Sequence, residues 1–351
     1  MRQISIAVAL AGVIAASASM GLSQQAPTAG PYKVLKTAKV GGEGGYDYIF
    51  ADVEGRRLYV PRGGATGQLM VFNLDTLESA GAVADVKAGG ATVDPKSHHG
   101  FSTTKPLTMW DANTLKVIKT IDVDGRPDGI LCDPYNARVW VLSHQPPHAT
   151  LIAAADGTVV KTLDLGGAPE QAVSDGNGTM YVNIADKANI AVVDAQTLTV
   201  TAHYDMSSKG TGGSGLAFDP KNRILFAYYR QPAPVVVIVN ADNGNIITTL
   251  PTGMGVDTVA FNPVTMEAIS AENAGTMTFV KENSPTSFVV EQTLKTMVGA
   301  KTLALDTKTN HLFTMAAEFG PPAPDAPPGP AGRPARGPMV PGSFSILMVG
   351  K

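Results

Sequence analysis

The sequence predicts an all-β fold, a seven-bladed β-propeller, on three observations. One turn recurs seven times, each copy carries the same succession of short apolar strands, and a strand without a copy of its own stands near the N-terminus. The recurring turn is read at Asp52, Asp94, Asp133, Asp175, Asp219, Asn262 and Asp306, so copies lie 39 to 44 residues apart. That period suits one four-stranded blade per copy.

Within a copy, a short apolar strand a ends at Asp-Pro or Asp-Gly, where the carboxylate can accept hydrogen bonds from the turn and the next residue sets φ. Strand b follows ("RLYV", "VWVL", "MYVNI", "ILFAYY"), almost continuously apolar because neighbouring blades cover both of its faces. Strand c ("LMVFN", "NIAVVD", "VVVIVN") leads through a hairpin turn such as "DAQT" to strand d, which alternates polar and apolar as a half-exposed edge does. The seventh copy has a (Leu303 to Asp306), b (Leu312 to Ala316) and c (Phe344 to Val349), and the chain stops at Lys351 without a d. The segment "YKVLKTAKV", Tyr32 to Val40, is a d without a, b or c, close in sequence to the internal strand "LKVIKTIDV". The expectation is that the N-terminal strand completes the last blade and closes the ring, hiding the sheet edges an open array would expose.

Composition agrees with this reading. Charged residues make up 16% of the 351, while 37 Gly and 25 Pro supply turn conformations. A formal net charge of -3 gives no global field for nucleic acid or acidic lipid, so neither partner is favoured. Residues 1–25 carry Arg2, an apolar run from Ile4 and Ala16-Ser17-Ala18, the order of a secretory signal peptide, which places the protein in the periplasm or outside the cell. The remainder, 32–351, reads as one propeller domain without a membrane span, monomeric. Cys132 is the only cysteine, so there is no internal disulfide; in "GILCDP" it reads as a small buried hydrophobe. The copies are interrupted once, at Gly320 to Gly342 in blade seven, where proline is too dense for a sheet ladder.

The d-to-a and b-to-c connections of a propeller gather around one mouth of its channel. Here they carry varied polar residues, whereas the opposite turns are stereotyped, so the mouth is the expected binding face. The candidate ligand-binding residues are Glu43, Tyr46, Asp47, Arg62, Arg126, Asp128, His144, Glu170, Arg230, Asp257, Lys301 and Glu318. No catalytic residue, cofactor or metal site is assigned. Asp122, Asp124 and Asp128 lack the bidentate Glu of a calcium loop, and "HQPPH" cannot be helical, so its spacing does not set His144 and His148 on one face. "GGSGL" around Ser214 lacks the spacing of a nucleophile elbow.

The b–c pairs with their Asp-x-x-Thr turns ("LYV…VFNLDTL", "MYVNIADKANIAVVDAQTL") resemble the YVTN-repeat, YncE-type propellers over essentially the whole mature chain. The resemblance implies an exported seven-bladed propeller that binds a small molecule, protein or peptide and has no assigned reaction. "GEGGYDY" is also similar to the Glu-Gly-Pro-x-Trp opening of gluconolactonase-type propellers, with Gly45 in place of the proline and Asp47 in place of the Trp. That likeness implies an alternative, a calcium-dependent lactonase with Glu43 as metal ligand.

Overall fold

The structure is a computed structural model that describes residues 26–64, 67–325, 327 and 336–351. The predicted signal peptide, 1–25, and the middle of the Pro-rich insertion with Arg333 lie outside the described residues.

Among the described residues there are 28 strands and no helix, arranged as seven four-stranded antiparallel sheets. Numbered in chain order, β2–β5 (50–83) form blade one, β6–β9 (91–121) blade two, β10–β13 (127–163) blade three and β14–β17 (169–205) blade four. Blade five is β18–β21 (211–251), blade six β22–β25 (256–295) and blade seven β26–β28 (303–350) completed by β1 (Lys33–Lys39). The expected closure is therefore present. Strand β1 pairs antiparallel with β28 (Ser345–Gly350), with Lys33 opposite Gly350 and Lys39 opposite Ser345.

Why strand b is apolar throughout is visible in blade three. Successive side chains of a strand point to opposite faces. Val139 and Val141 enter the core shared with blade two, while Trp140 and Leu142 enter the core shared with blade four. Every neighbouring pair of blades has such a cluster, including blades seven and one, where Phe313, Met315 and Phe344 meet Leu58, Val60 and Phe72. The ring is thus held by seven inter-blade cores rather than one central core, as expected of stacked sheets that each bury both faces.

The turn chemistry holds in detail. Asp52, Asp94, Asp133, Asp219, Asn262 and Asp306 each accept a backbone N–H from two or three residues on. Copy four differs by one step: Ser174, the last residue of β14 (Pro169–Ser174), occupies the turn position, and Asp175 instead accepts from the amides of Asn177 and Thr179. The residue before strand b has positive φ in all seven copies (Arg56, His98, Ala137, Gly178, Arg223, Met266, Asn310), the left-handed step that ends these five-residue turns.

The closing strand is anchored beyond its ladder. Just before β1, Tyr32 is buried, stacks on Phe279 of blade six with ring centroids 3.8 Å apart, and donates its hydroxyl to Glu267. Lys351 at the other end of the chain pairs with the same Glu267 at 3.1 Å. Both termini are therefore fixed to blade six as well as to each other.

Candidate functional site

Strands a line the channel. Seven of the twelve candidate residues come together at its mouth as a continuous arc of charge. Asp47, in the connection from β1 to blade one, pairs with Lys301 at 2.7 Å. Lys301, between blades six and seven, also pairs with Asp257 on β22 (Val256–Asn262). Asp257 accepts from Arg230 of blade five at 2.8 Å, and the Arg230 guanidinium lies 3.7 Å from Glu170 of blade four. Glu170 Oε1 lies 3.7 Å from His144 Nε2, which lies 3.3 Å from Asp128 Oδ2, both in blade three. The arc stops at blade two, where Gly89 and Gly90 take the corresponding place and Gly89 accepts the Tyr48 amide at 2.9 Å.

Each member is held by its own backbone context. The Thr302 hydroxyl donates to the Asp47 carbonyl at 2.6 Å, and the Arg230 Nε donates to the Val256 carbonyl at 3.0 Å. Beneath the arc is a channel cavity of about 240 Å³ lined by Tyr48, Gly129, Glu170, Gln171, Thr258 and the apolar side chains of strands a. Gln171 braces that channel: its side-chain amide donates to the Val259 carbonyl at 2.9 Å and its oxygen accepts from Val259 N at 3.0 Å and Leu216 N at 3.3 Å. One side chain of blade four so ties blades five and six.

The electrostatics are unbalanced. Four carboxylates (Asp47, Asp128, Glu170, Asp257) face two permanent cations (Arg230, Lys301). Burial pushes Glu170 up from 4.5 to about 7, with Asp257 and Asp128 adding to the effect against the help of Arg230. Burial likewise pushes Asp47 up from 3.8 to about 6; Lys301 opposes this and Asp257 and Asp128 reinforce it. The Tyr48 phenol is raised first by burial and then by Asp128, Asp257, Glu170 and Asp47, so all four carboxylates act on the same channel residue. Lys301 is held protonated: burial would lower it, but Asp257 and Asp47 overcome that.

The other five candidates lie elsewhere. Arg62 is 1% exposed: its guanidinium stacks 3.6 Å above the Phe344 ring and donates to the carbonyls of Gly41, Gly42 and Gly44, so it shapes the "GGEGG" loop from below. Burial lowers it to about 10. Tyr46 tilts against Phe344 and its hydroxyl accepts the Ala317 amide at 3.3 Å. Glu43, Arg126 and Glu318 are exposed on their loops. Next to the arc, a second cavity of about 350 Å³ is walled by Tyr46, Lys301, Asn273 and the stem of the insertion, Phe319, Arg336 and Met339. Arg336 lies over the Phe319 ring and donates to Asn273 of blade six at 2.8 Å.

Two residues important to this geometry carry no sequence motif: Tyr48, which ends "GGEGGYDY", and Gln171, which follows Glu170. The two histidines of "HQPPH" do diverge: His148 is buried against Asp164 at 2.7 Å, while His144 faces the arc. Cys132 has its thiol raised to about 12 by burial and by Asp94, which keeps it protonated and unreactive.

Fold and site together define a seven-bladed β-propeller with a charged channel mouth. In the comparison with solved structures, the chain is similar to a chain of a mitotic checkpoint complex (TM-score 0.68, 10% identity, covering 90% of this chain and 95% of that one). It is also similar to hydrazine synthase of Kuenenia stuttgartiensis (TM-score 0.65, 13% identity, covering 76% of this chain and 91% of that one). At these identities the likeness is one of fold. No protein-family model matches the sequence, and no curated protein matches it.

Proposed function

We propose that this is an exported, non-catalytic propeller of the YVTN-repeat type that binds a small cationic ligand at the channel mouth. The observation that carries the reading is the arc of four carboxylates against two cations around the mouth of the channel. A cation entering there gains from the uncompensated charge and from the low dielectric of the surrounding walls. The two cations of the arc are already engaged by carboxylates, so an anionic ligand would have to compete with Asp47, Asp257 and Glu170 for them. The rigid scaffold favours binding without rearrangement, because the groups are fixed before the ligand arrives.

The test is a thermal-shift screen of the mature chain against polyamines, amino sugars, neutral sugars, lactones and single-stranded DNA. A ligand that binds the native state raises the melting temperature by mass action. The expected hits are cationic, and their shift should shrink in Glu170→Gln. Hits confined to neutral or anionic compounds, or a cationic hit indifferent to that substitution, would refute the reading.

A further inference from the structure

We propose that Asp128, His144 and Glu170 form a binding site for a first-row divalent metal ion of the Zn²⁺ type. This rests on the reading of the mouth as a cation site and names the cation.

Three potential ligand atoms converge: His144 Nε2, Asp128 Oδ2 and Glu170 Oε1, with no pair farther apart than 4.8 Å. Zinc holds imidazole nitrogen and carboxylate oxygen at about 2.0–2.2 Å, so adjacent ligands in a tetrahedral site stand roughly 3.3–3.5 Å apart. The His144–Asp128 edge, 3.3 Å, lies at that spacing, the His144–Glu170 edge, 3.7 Å, is slightly wider, and the Asp128–Glu170 edge is within 4.8 Å.

His144 and Asp128, at 3.3 Å, stand at the long limit of a hydrogen bond, whereas the 3.7 Å between His144 and Glu170 is beyond one, and neither carboxylate donates to the other. The trio therefore makes only loose contacts that an ion between its members would replace. The charge agrees in sign: four carboxylates face two permanent cations, and a bound divalent ion would favour the ionised forms of the carboxylates it touches. Arg230 is the nearest competing cation, but its short bonds go to Asp257 and to the Val256 carbonyl, leaving Glu170 at 3.7 Å.

The donor set selects the metal. One imidazole with two carboxylates suits zinc and its first-row neighbours, whereas calcium takes oxygen ligands alone and gains nothing from His144. Three protein ligands also leave at least one position for water or a ligand group. The sites were separate in the sequence because Asp128 and His144 come from blade three and Glu170 from blade four.

The test uses the mature chain without a polyhistidine tag, stripped with chelator, and titrated with ZnCl₂, CaCl₂ and CoCl₂. Zn²⁺ should bind at one equivalent and raise the melting temperature; Ca²⁺ at the same concentration should not. His144→Ala and Asp128→Asn should each weaken Zn²⁺ binding about tenfold or more, since even loss of groups that only orient metal ligands costs 10–100-fold. Co²⁺ should give visible absorption bands that His144→Ala abolishes. His98→Ala, an exposed histidine of the opposite face, should change nothing. Zn²⁺ binding undiminished in His144→Ala places the ion elsewhere and overturns the proposal. So does an absence of Zn²⁺ binding in a protein that still binds an organic cation from the screen, an outcome that leaves the reading of the mouth standing.

Discussion

Glu282 offers a quantitative check on the balance of forces between blades five and six. It lies on β24 (Thr276–Ser284), 3% exposed, with Oε1 accepting from Asn222 of blade five at 2.6 Å and Oε2 without a hydrogen-bond donor. Burial pushes the carboxyl up from 4.5 to about 7; the Asn222 amide works against this and the Asp219 charge adds to it. The folded value lies above the unfolded one. Its contribution to stability is therefore complete below about pH 4.5 and is lost as pH rises through about 7. At about 1.4 kcal/mol per pH unit of displacement, wild type loses roughly 2–3 kcal/mol from this group between pH 5 and pH 8. Glu282→Gln keeps the shape and stays neutral. Urea denaturation of both proteins at pH 5 and pH 8 should show the variant gaining that amount on wild type at the higher pH. Groups elsewhere that titrate in the same range, Glu170 among them, are common to both proteins and cancel in the difference. A stability difference that is the same at both pH values would show that Glu282 titrates as an ordinary carboxylate and that the reasoning from burial is wrong.

Tyr32→Ala removes a buried ring stacked on Phe279 and should cost about 3–5 kcal/mol in denaturant titration, while an unchanged midpoint would mean the N-terminal anchor is dispensable. Arg62→Met leaves the loop carbonyls of Gly41, Gly42 and Gly44 without their donor and should lower stability by about 2–4 kcal/mol; calorimetric Zn²⁺ affinity should stay the same, and a parallel loss of affinity would put Arg62 in the site after all. Gln171→Ala frees the amides of Leu216 and Val259, and hydrogen exchange should accelerate at those two positions with a stability loss of about 1–3 kcal/mol; unchanged protection would show that the brace carries no load.

The fold was legible because its determinants are local and repeated. Each turn Asp acts within three residues of itself, and each strand b announces its two buried faces by continuous apolar character. Even the closure followed from counting strands, since a d without a copy and a copy without a d can satisfy each other. The offset at Ser174 was missed because a serine hydroxyl can fill the same turn role as an Asp carboxylate, and the adjacent Asp175 drew attention to itself. The site was only half legible. Asp47, Asp128, His144, Glu170, Arg230, Asp257 and Lys301 could be picked as mouth residues in blade order, but which of them meet depends on how far each side chain reaches across blades. Arg62 is the instructive case: in sequence it is a loop cation next to "GGATG", and only packing shows it turned inward and stacked on Phe344. Gln171 carried no signal, because its partners are backbone groups of two other blades.

The pairing of β1 with β28 has a mechanical consequence. Lys33 and Gly350 are partners at one end of the ladder, so the chain enters β1 and leaves β28 side by side. A force applied between the termini therefore acts on one end of this antiparallel pair and peels its hydrogen bonds one after another, rather than shearing all of them together. The strand that makes the ring whole is also the one a pull on the termini would unzip first. Tyr32 and Lys351, clamped on Glu267 of blade six, sit just outside that first bonded pair and must give way before the peeling can start.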